Sequence, residues 1–414
     1  MSTAVQPSPG APAADAPVTR GGLSGYVRQW VENIRGGELG ILPIIIGIVV
    51  IGAYFQARNS NFLTAGNFVN LIAQMSPFAV IGMGMVFILL LGEIDLSVGY
   101  VSGMGGVIAA VLLEPGKGQW PTWLALVAAL ATGCAIGLLQ GFFVSRIGVP
   151  SFVVTLAGLL GWNGVVLQII GSKGTIVIQD KFVIGLANDN LSHTLAWIVA
   201  IVGIAGYLGV QLATSYRRRQ AGLPNVPWSI IGVRTVIIAA LGIGVVAWAN
   251  TDRGVPYVGL LMLVLLVFWT FVATRTRFGR HVYAVGGNAE AARRAGISVP
   301  NIRLVVFAIS GTMAALGGIV LASRLSSVDT STGGGSTLLY SIAACVIGGT
   351  SLFGGRGNVR SAILGAIVIA MIDNGLGLLN VSAGTKFIVT GIVLLAAVTL
   401  DSVSRRRSAA AGLR

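Results

Sequence analysis

Charge is what this chain has least of. Only 10% of its 414 residues are Asp, Glu, Lys or Arg, against roughly 25% in ordinary soluble domains. Thirteen acids and 27 bases cannot cover the core of a chain that is 55% hydrophobic, which excludes a soluble multidomain enzyme. The same apolar content excludes intrinsic disorder. Histidine is almost missing: His193 and His281 stand far apart at the edges of apolar runs and cannot build a metal cluster. The two cysteines, Cys134 and Cys345, lie inside apolar runs with no partner at metal-ligand spacing. They read as small buried hydrophobes and leave the redox compartment open. No G-x-x-x-x-G-K-[ST] occurs, and the lysines in glycine-rich context, Lys117 and Lys173, fail that spacing. The chain therefore cannot cradle ATP phosphates by that device. No Ser, His and acid arrangement suggests a catalytic triad. The 59 glycines show no G-X-Y period, so the chain is not collagenous.

What fills the chain is a series of continuous apolar runs of about 20 residues, the length a helix needs to cross a ~30 Å hydrocarbon core. Barrel strands would alternate apolar and polar residues over about ten positions, and these runs do not alternate. The fold class is an all-α polytopic membrane protein. Apolar segments fall at roughly 41–56, 70–91, 97–113, 122–143, 151–170, 193–213, 230–249, 256–273, 304–322, 337–353, 360–378 and 385–401. About 10–12 of them are expected to be transmembrane helices, with room for broken or re-entrant ones. Together they form a membrane domain over 41–401.

Residues 1–22 are rich in Pro and Ala and read as a disordered tail. They do not read as a signal peptide, because the first apolar run begins only near Leu42. Over 23–36, Leu23, Tyr26, Val27, Trp30, Val31 and Ile34 share one helical face. That face suits a helix lying flat on a bilayer, or packing on a partner subunit. If every segment spans and the N-terminus is inside, 20 of the 27 Lys and Arg fall on the inner side and 7 outside. Both termini are therefore expected to be cytoplasmic, the basic tail 402–414 included. Arginines that flank spans fix topology. None of these clusters has interleaved aromatics, so lipid is an expected partner and nucleic acid is not.

Gly133, Gly137 and Gly141 form a G-x-x-x-G-x-x-x-G series, and Gly99 and Gly103 a shorter one. Both point to helices in close backbone contact. Membrane-embedded charge is confined to a few places. In LLLGEIDLSVGYVSGMGG, Glu93 and Asp95 sit between two strongly apolar runs and just before Ser97. Asp95 suits the N-cap of the following helix, or a gating or pathway role. In MIDNGLG, Asp373 and Asn374 fall late in a segment, as a helix-end charge or part of a pathway. Gly348, Gly349, Gly354, Gly355 and Gly357 lie within ten residues of one another. A continuous helix through them is disfavoured, and a break near the cytoplasmic mouth is expected, with Arg356 and Arg360 at the interface. RFGRHVYAVGGNAEAARRAGISVPNIR, over 277–303, reads as a cytoplasmic loop. Within it Asn288 would cap a short helix over Ala289–Ala295 and Gly296 would stop it. Glu290 early and Arg293 and Arg294 late agree with that helix's dipole.

The runs GEIDLSVG, PSFVVTLAG, GGNAEAARRAGI and IAACVIGGTSLFGGRG together resemble the permease subunits of bacterial monosaccharide ABC importers, the ribose, xylose, arabinose and galactose group. The likeness runs from about Asn61 to Arg407. The additional segments over 193–249 around SYRRRQAGL, RGVP at Arg253 to Pro256, and IDNG at Ile372 to Gly375 are most similar to the D-xylose branch. Shorter ribose-type permeases lack that insertion. The resemblance implies a transport subunit of the cell inner membrane and no enzyme. It implies a homodimer around a central path, with ATPase subunits at the cytoplasmic face holding ATP and Mg. A periplasmic or lipid-anchored binding protein would deliver the sugar, D-xylose first. The run GGNAEAARRAGI resembles the coupling loop of importer permeases, although the later Leu-Pro of the wider pattern is missing. By that likeness Asn288, Glu290, Ala291, Ala292, Arg293 and Gly296 form the element that docks on the ATPase. Selectivity would rest largely with the binding protein, and the path would be small and apolar with few fixed polar groups. Glu93, Asp95, Ser97, Gly348, Gly349, Gly354, Gly355, Asp373 and Asn374 are the candidates for helix breaks and gating. A gradient-driven secondary carrier is the alternative and would need an ionisable pair in the path. A membrane scaffold or receptor is a third reading, disfavoured by the lack of a sizeable soluble domain.

Overall fold

The computed structural model describes residues 40–116, 119–223 and 225–410. The expected tail at 1–22, the surface helix at 23–36 and the last four residues of the basic tail 402–414 lie outside them. Each of the apolar segments becomes a helix. Among the described residues, eight are long and apolar enough to cross a membrane. In chain order the helices are α1 (Leu42–Arg58), α2 (Ala65–Leu90), α3 (Val98–Leu112), α4 (Thr122–Phe142), α5 (Ser151–Ile170), α6 (Lys181–Asn188), α7 (His193–Gln220) and α8 (Trp228–Ala249). They continue as α9 (Tyr257–Arg275), α10 (Arg277–Gly287), α11 (Ala289–Arg294), α12 (Val299–Leu325), α13 (Ser336–Ile347), α14 (Arg360–Leu378) and α15 (Ala383–Ala410). Strands β1 (Thr175–Val177) and β2 (Ser327–Asp329) form one small antiparallel ladder, with Ile176 opposite Val328.

Proline sets many of the boundaries. α4, α5, α8 and α9 each begin directly after one, at Pro121, Pro150, Pro227 and Pro256. A ring that fixes φ and lacks an N–H costs nothing at a position where that N–H has no helical partner. Pro77 is different, because it lies inside α2. It removes the donor that would reach the Ala73 carbonyl, and Ser76 Oγ donates to that oxygen instead, at 2.8 Å. A hydroxyl substituting for a missing amide is how a helix keeps an interior proline where no water can serve.

α12 is the axis of the bundle and packs against α2, α3 and α4. Lipid offers helices little hydrophobic reason to associate, so the contact is made by bringing backbones close. Gly133, Gly137 and Gly141 of α4 face Gly311, Phe307 and Leu304 of α12, where a Cβ would strike backbone or Cβ atoms. Gly99 and Gly103 do something else: they admit the Thr332 and Gly333 backbone of the loop before α13, and Gly99 also the first turn of α13 at Leu338. The helix partners of α3 are Gly105 and Gly106, against Ala315 and Gly318 of α12.

Two segments are too short to cross. α3 has 15 residues and α13 has 12, about 22 and 18 Å at 1.5 Å per residue. The continuous run expected over 337–353 stops at Ile347, because the glycines that follow leave helical geometry. α3 begins level with the middle of α12, and α13 starts beside it, with Leu338 against Gly99.

α7 and α8 pack on one another and lie to the side. They meet the rest through Phe68 of α2 stacked on Trp248 at 4.6 Å, and through Arg253, whose Nη2 donates to Asn70 Oδ1 at 2.8 Å. The chain entering and leaving the pair is paired backbone to backbone: Leu191 N donates to Val255 O at 2.8 Å and Tyr257 N to Asp189 O at 3.1 Å.

Candidate functional site

The four runs that carry the resemblance converge at one end of the bundle, the end bearing Arg146, Arg280, Arg293 and Arg303. α2 ends at Leu90. Its carbonyl accepts the Gly355 N–H at 2.9 Å, and Gly286 of α10 lies directly on the same carbonyl, leaving no room for a Cβ. Gly354 and Gly355 have φ of 85° and 72°, and Gly349 has 97°. These are left-handed values that residues with a Cβ adopt at a cost, which is why this turn is built from glycine. Tyr283 Oη donates to Gly357 O at 2.9 Å and ties α10 to the same turn. α10 occupies the first part of what the sequence reads as a cytoplasmic loop over 277–303. Its signal was present, since Phe278, Val282 and Val285 recur at i, i+4 and i+7, a helical apolar stripe.

Beyond Leu90 the chain passes through Glu93 to Ser97. Glu93 pairs with Arg303 of α12 at 2.9 Å, the carboxylate 13% exposed and the guanidinium 34%. Ile94 N donates to Ser151 Oγ at 3.3 Å. Asp95 is buried, 2% exposed. Its Oδ1 accepts from Ser97 N at 2.9 Å and from Ser97 Oγ at 2.7 Å. Its Oδ2 accepts from Ser310 Oγ of α12 at 3.1 Å. Gln140 Oε1 stands 3.0 Å from Ser97 Oγ, but the serine has one proton, and the carboxylate is the stronger acceptor. α3 starts at Val98 with Ser97 at the cap position. Asp95 therefore does not cap the helix in the N-cap position; it closes the turn before it and ties that turn to α12. Ser310 and Gln140 have no local sequence signal that would pick them out, since each meets this break only through the fold.

α11 projects from this junction. Asn288 Oδ1 accepts the Ala291 N–H at 2.9 Å and caps the helix. Gly296 follows with φ of 82°. Ala292 is buried against the bundle, whereas Asn288, Glu290, Ala291, Arg293 and Gly296 are exposed. Glu290 pairs with Arg293 at 2.7 Å and Arg294 at 3.2 Å. Hydrogen bonds from Arg293 and then Arg294 hold its carboxyl below the usual carboxylate range. The helix therefore presents a charged, pre-ordered face and is anchored by one alanine. Gly348 is also at the junction, on the Ser361 carbonyl with no space for a Cβ.

Asp373 and Asn374 are elsewhere. α14 runs unbroken from Arg360 to Leu378, so neither marks a helix break, which corrects the sequence expectation. A single late glycine pair does not outweigh a helix packed against α2 and α13. Asn374 is buried and exchanges amide bonds with Asn67 of α2, at 2.9 and 3.0 Å. Asp373 faces Lys386 at 3.6 Å. Both belong to the end of the bundle opposite α11.

A family model described as the permease component of branched-chain amino acid transport systems matches residues 67–398. The chain is 38% identical to the xylose transport system permease protein XylH of Escherichia coli K12, over 94% of this chain and 96% of that one. It is 34% identical to XylH of Haemophilus influenzae, over 91% and 99%. It is 31% identical to the ribose import permease protein RbsC of Escherichia coli K12, over 86% and 92%. No solved structure matches the chain.

Proposed function

The chain belongs to the family of transport-system permease components, as a multi-pass membrane protein related to monosaccharide permeases, and on that premise we propose that it carries D-xylose inward across the cell inner membrane. ATP and Mg are held by separate ATPase subunits docked on α11. A sugar-binding protein loads the opposite face, and two copies of the permease enclose the path. The single observation that carries this reading is the junction: an exposed, pre-capped helix seated on the same block of backbone that interrupts two membrane helices. α11 leads directly into α12, and α12 is tied to the break before α3 by Glu93–Arg303 and by Ser310–Asp95. A push on α11 would move α12 and the start of α3 as one body, a small rigid displacement of the kind that reverses access. Under this reading α11 and the basic residues around it face the cytoplasm, together with both termini. The family model's description names amino acids, but the xylose and ribose permeases cover nearly the whole chain, and they favour a sugar.

The test is reconstitution with a candidate ATPase and sugar-binding protein, following ATP hydrolysis with and without D-xylose. Stimulation by the loaded binding protein is expected, and a panel of pentoses and hexoses then ranks the sugars. Uptake driven by an ion gradient in vesicles holding this chain alone would replace the importer with a secondary carrier.

A further inference from the structure

At the end opposite α11 the bundle opens into a cavity of ≈ 500 Å³, walled by α2, α12, the loop before α13, α13, α14 and α15. That volume falls within the roughly 300–1,000 Å³ usual for small-molecule sites. Three charged groups reach its wall from three helices: Arg324 of α12, Asp373 of α14 and Lys386 of α15. In a chain with so little charge, this is a concentration that packing does not require. Asp373 and Lys386 form only a loose ion pair, 3.6 Å apart and longer than a hydrogen bond, and no direct ion pair of Arg324 is present among the described residues. Charges at membrane depth face water, a guest or one another, because an unsatisfied one is expensive.

The rest of the lining is aromatic and hydroxylic. Tyr340 stands edge-on to Phe78 at 5.2 Å, and Phe387, half exposed, closes the other side. Thr337 lies in the first turn of α13, whose N-terminus opens on the cavity. Asp329, the remaining acid, is already engaged by Ser331 and Thr332.

We propose that this cavity is a monosaccharide site belonging to the permease itself. The argument is chemical. A pyranose carries hydroxyls that donate and accept at once, and a loosely paired cation and carboxylate with a further cation beside them can satisfy both halves of each. Its ring also has an apolar C–H face, which needs aromatic wall. The two cations here are matched by two acids, so the site suits a neutral polyol better than a sugar acid or phosphate. The sugar sits with hydroxyls among Arg324, Asp373 and Lys386 and its ring against the exposed face of Phe387. This rests on the reading of the chain as a sugar permease and deepens it. It also departs from the expectation of an apolar path with selectivity left to the binding protein.

The experiment uses the complete transporter in proteoliposomes. Lys386→Met and Asp373→Asn are each expected to cut D-xylose uptake at least tenfold and to change the ratio of xylose to ribose uptake. Lys386→Arg is expected to restore uptake in part. Independently, a Ser336→Cys thiol, part-exposed on the cavity wall, is labelled by a membrane-impermeant methanethiosulfonate from the side facing the binding protein, and saturating D-xylose should slow the labelling at least threefold, while an equal concentration of an uncharged non-sugar osmolyte should not. Wild-type uptake and an unchanged sugar ratio in both variants would overturn the cavity as a sugar site. If the variants fail to assemble, the labelling decides: no protection by sugar overturns it equally. Wild-type vesicles that import no monosaccharide at all would instead sink the functional reading beneath it.

Discussion

At the end that bears α11, the Leu90 carbonyl takes the Gly355 amide while Gly286 presses on the same atom. At the other end, Arg324, Asp373 and Lys386 stand around open space. The first end is assembled backbone to backbone, the second by long side chains that touch only loosely. Backbone contact leaves little slack, so under the proposed function a displacement entering through α11 would be passed to the breaks before α3 and after α13. Long charged side chains have rotamers to spare and can follow a guest. The difference suggests a division between a stiff element that transmits force and a compliant one that meets the substrate.

The comparison can be broken most severely at Gly286. Gly286→Val forces a branched side chain into the Leu90 carbonyl, and overpacking of this kind costs about 1–3 kcal/mol or more. We expect loss of monodisperse protein in detergent and a large fall in Tm. Gly335→Ala, near the cavity, has a φ of 58° but nothing within 4 Å of the new Cβ. It should cost only the conformational penalty of about 1–2 kcal/mol, read in the same melting experiment. Equal losses at the two sites would erase the contrast.

Asp95→Ala comes next. It leaves Ser310 Oγ and the Ser97 N–H in a buried site without their acceptor, a cost of about 1–3 kcal/mol. Asp95→Asn keeps an acceptor oxygen and should recover most of it by thermal melting. A smaller effect is expected from the part-exposed pair Glu93–Arg303. Either neutralisation should cost about 1 kcal/mol or less, and the charge-swapped double variant should recover part of it in a double-mutant cycle.

The smallest effect on stability is expected at Glu290. Its carboxyl titrates below the unfolded value, so its contribution is present above that unfolded pKa of about 4.3 and fades as pH falls through the lower folded value. Between pH 6 and 8, where that contribution is fully present, the melting temperature of Glu290→Arg should fall only slightly below wild type, because the pair is exposed, while sugar-stimulated ATP hydrolysis in the reconstituted transporter is lost. Wild-type hydrolysis in that variant would remove α11 from the coupling path.

Much of the fold was legible because a membrane imposes one length and one hydropathy on every span. Runs such as 122–143 and 360–378 correspond to α4 and α14 with edges shifted by a residue or less. Edges failed where polar residues were recruited into helices, as in α2, which begins at Ala65 and uses Asn67 to meet Asn374, 307 residues away. The Asn288 cap and the Gly348–Gly355 break were readable, because both are local backbone chemistry. Asp95 was noticed, but its partner Ser310 lies 215 residues on, and no periodicity within one segment carries that information. The cavity was legible only as scattered charges: Arg324, Asp373 and Lys386 meet because the last turn of α12, the later part of α14 and the first turn of α15 lie around one space.

The backbone pairing at the foot of the α7–α8 hairpin has a consequence for ancestry. Asn190 and Pro256 face one another in an antiparallel bridge, where opposed Cα atoms stand about 5 Å apart. A lineage could therefore gain or lose everything between them, and the gap to be spliced would be that of one or two peptide units. The number of crossings would change by two, every later helix would keep its direction, and the axis of the bundle would register nothing. The hairpin is attached as a graft is attached, its backbone joined at one seam and its side chains resting on α2 at Phe68 and Asn70.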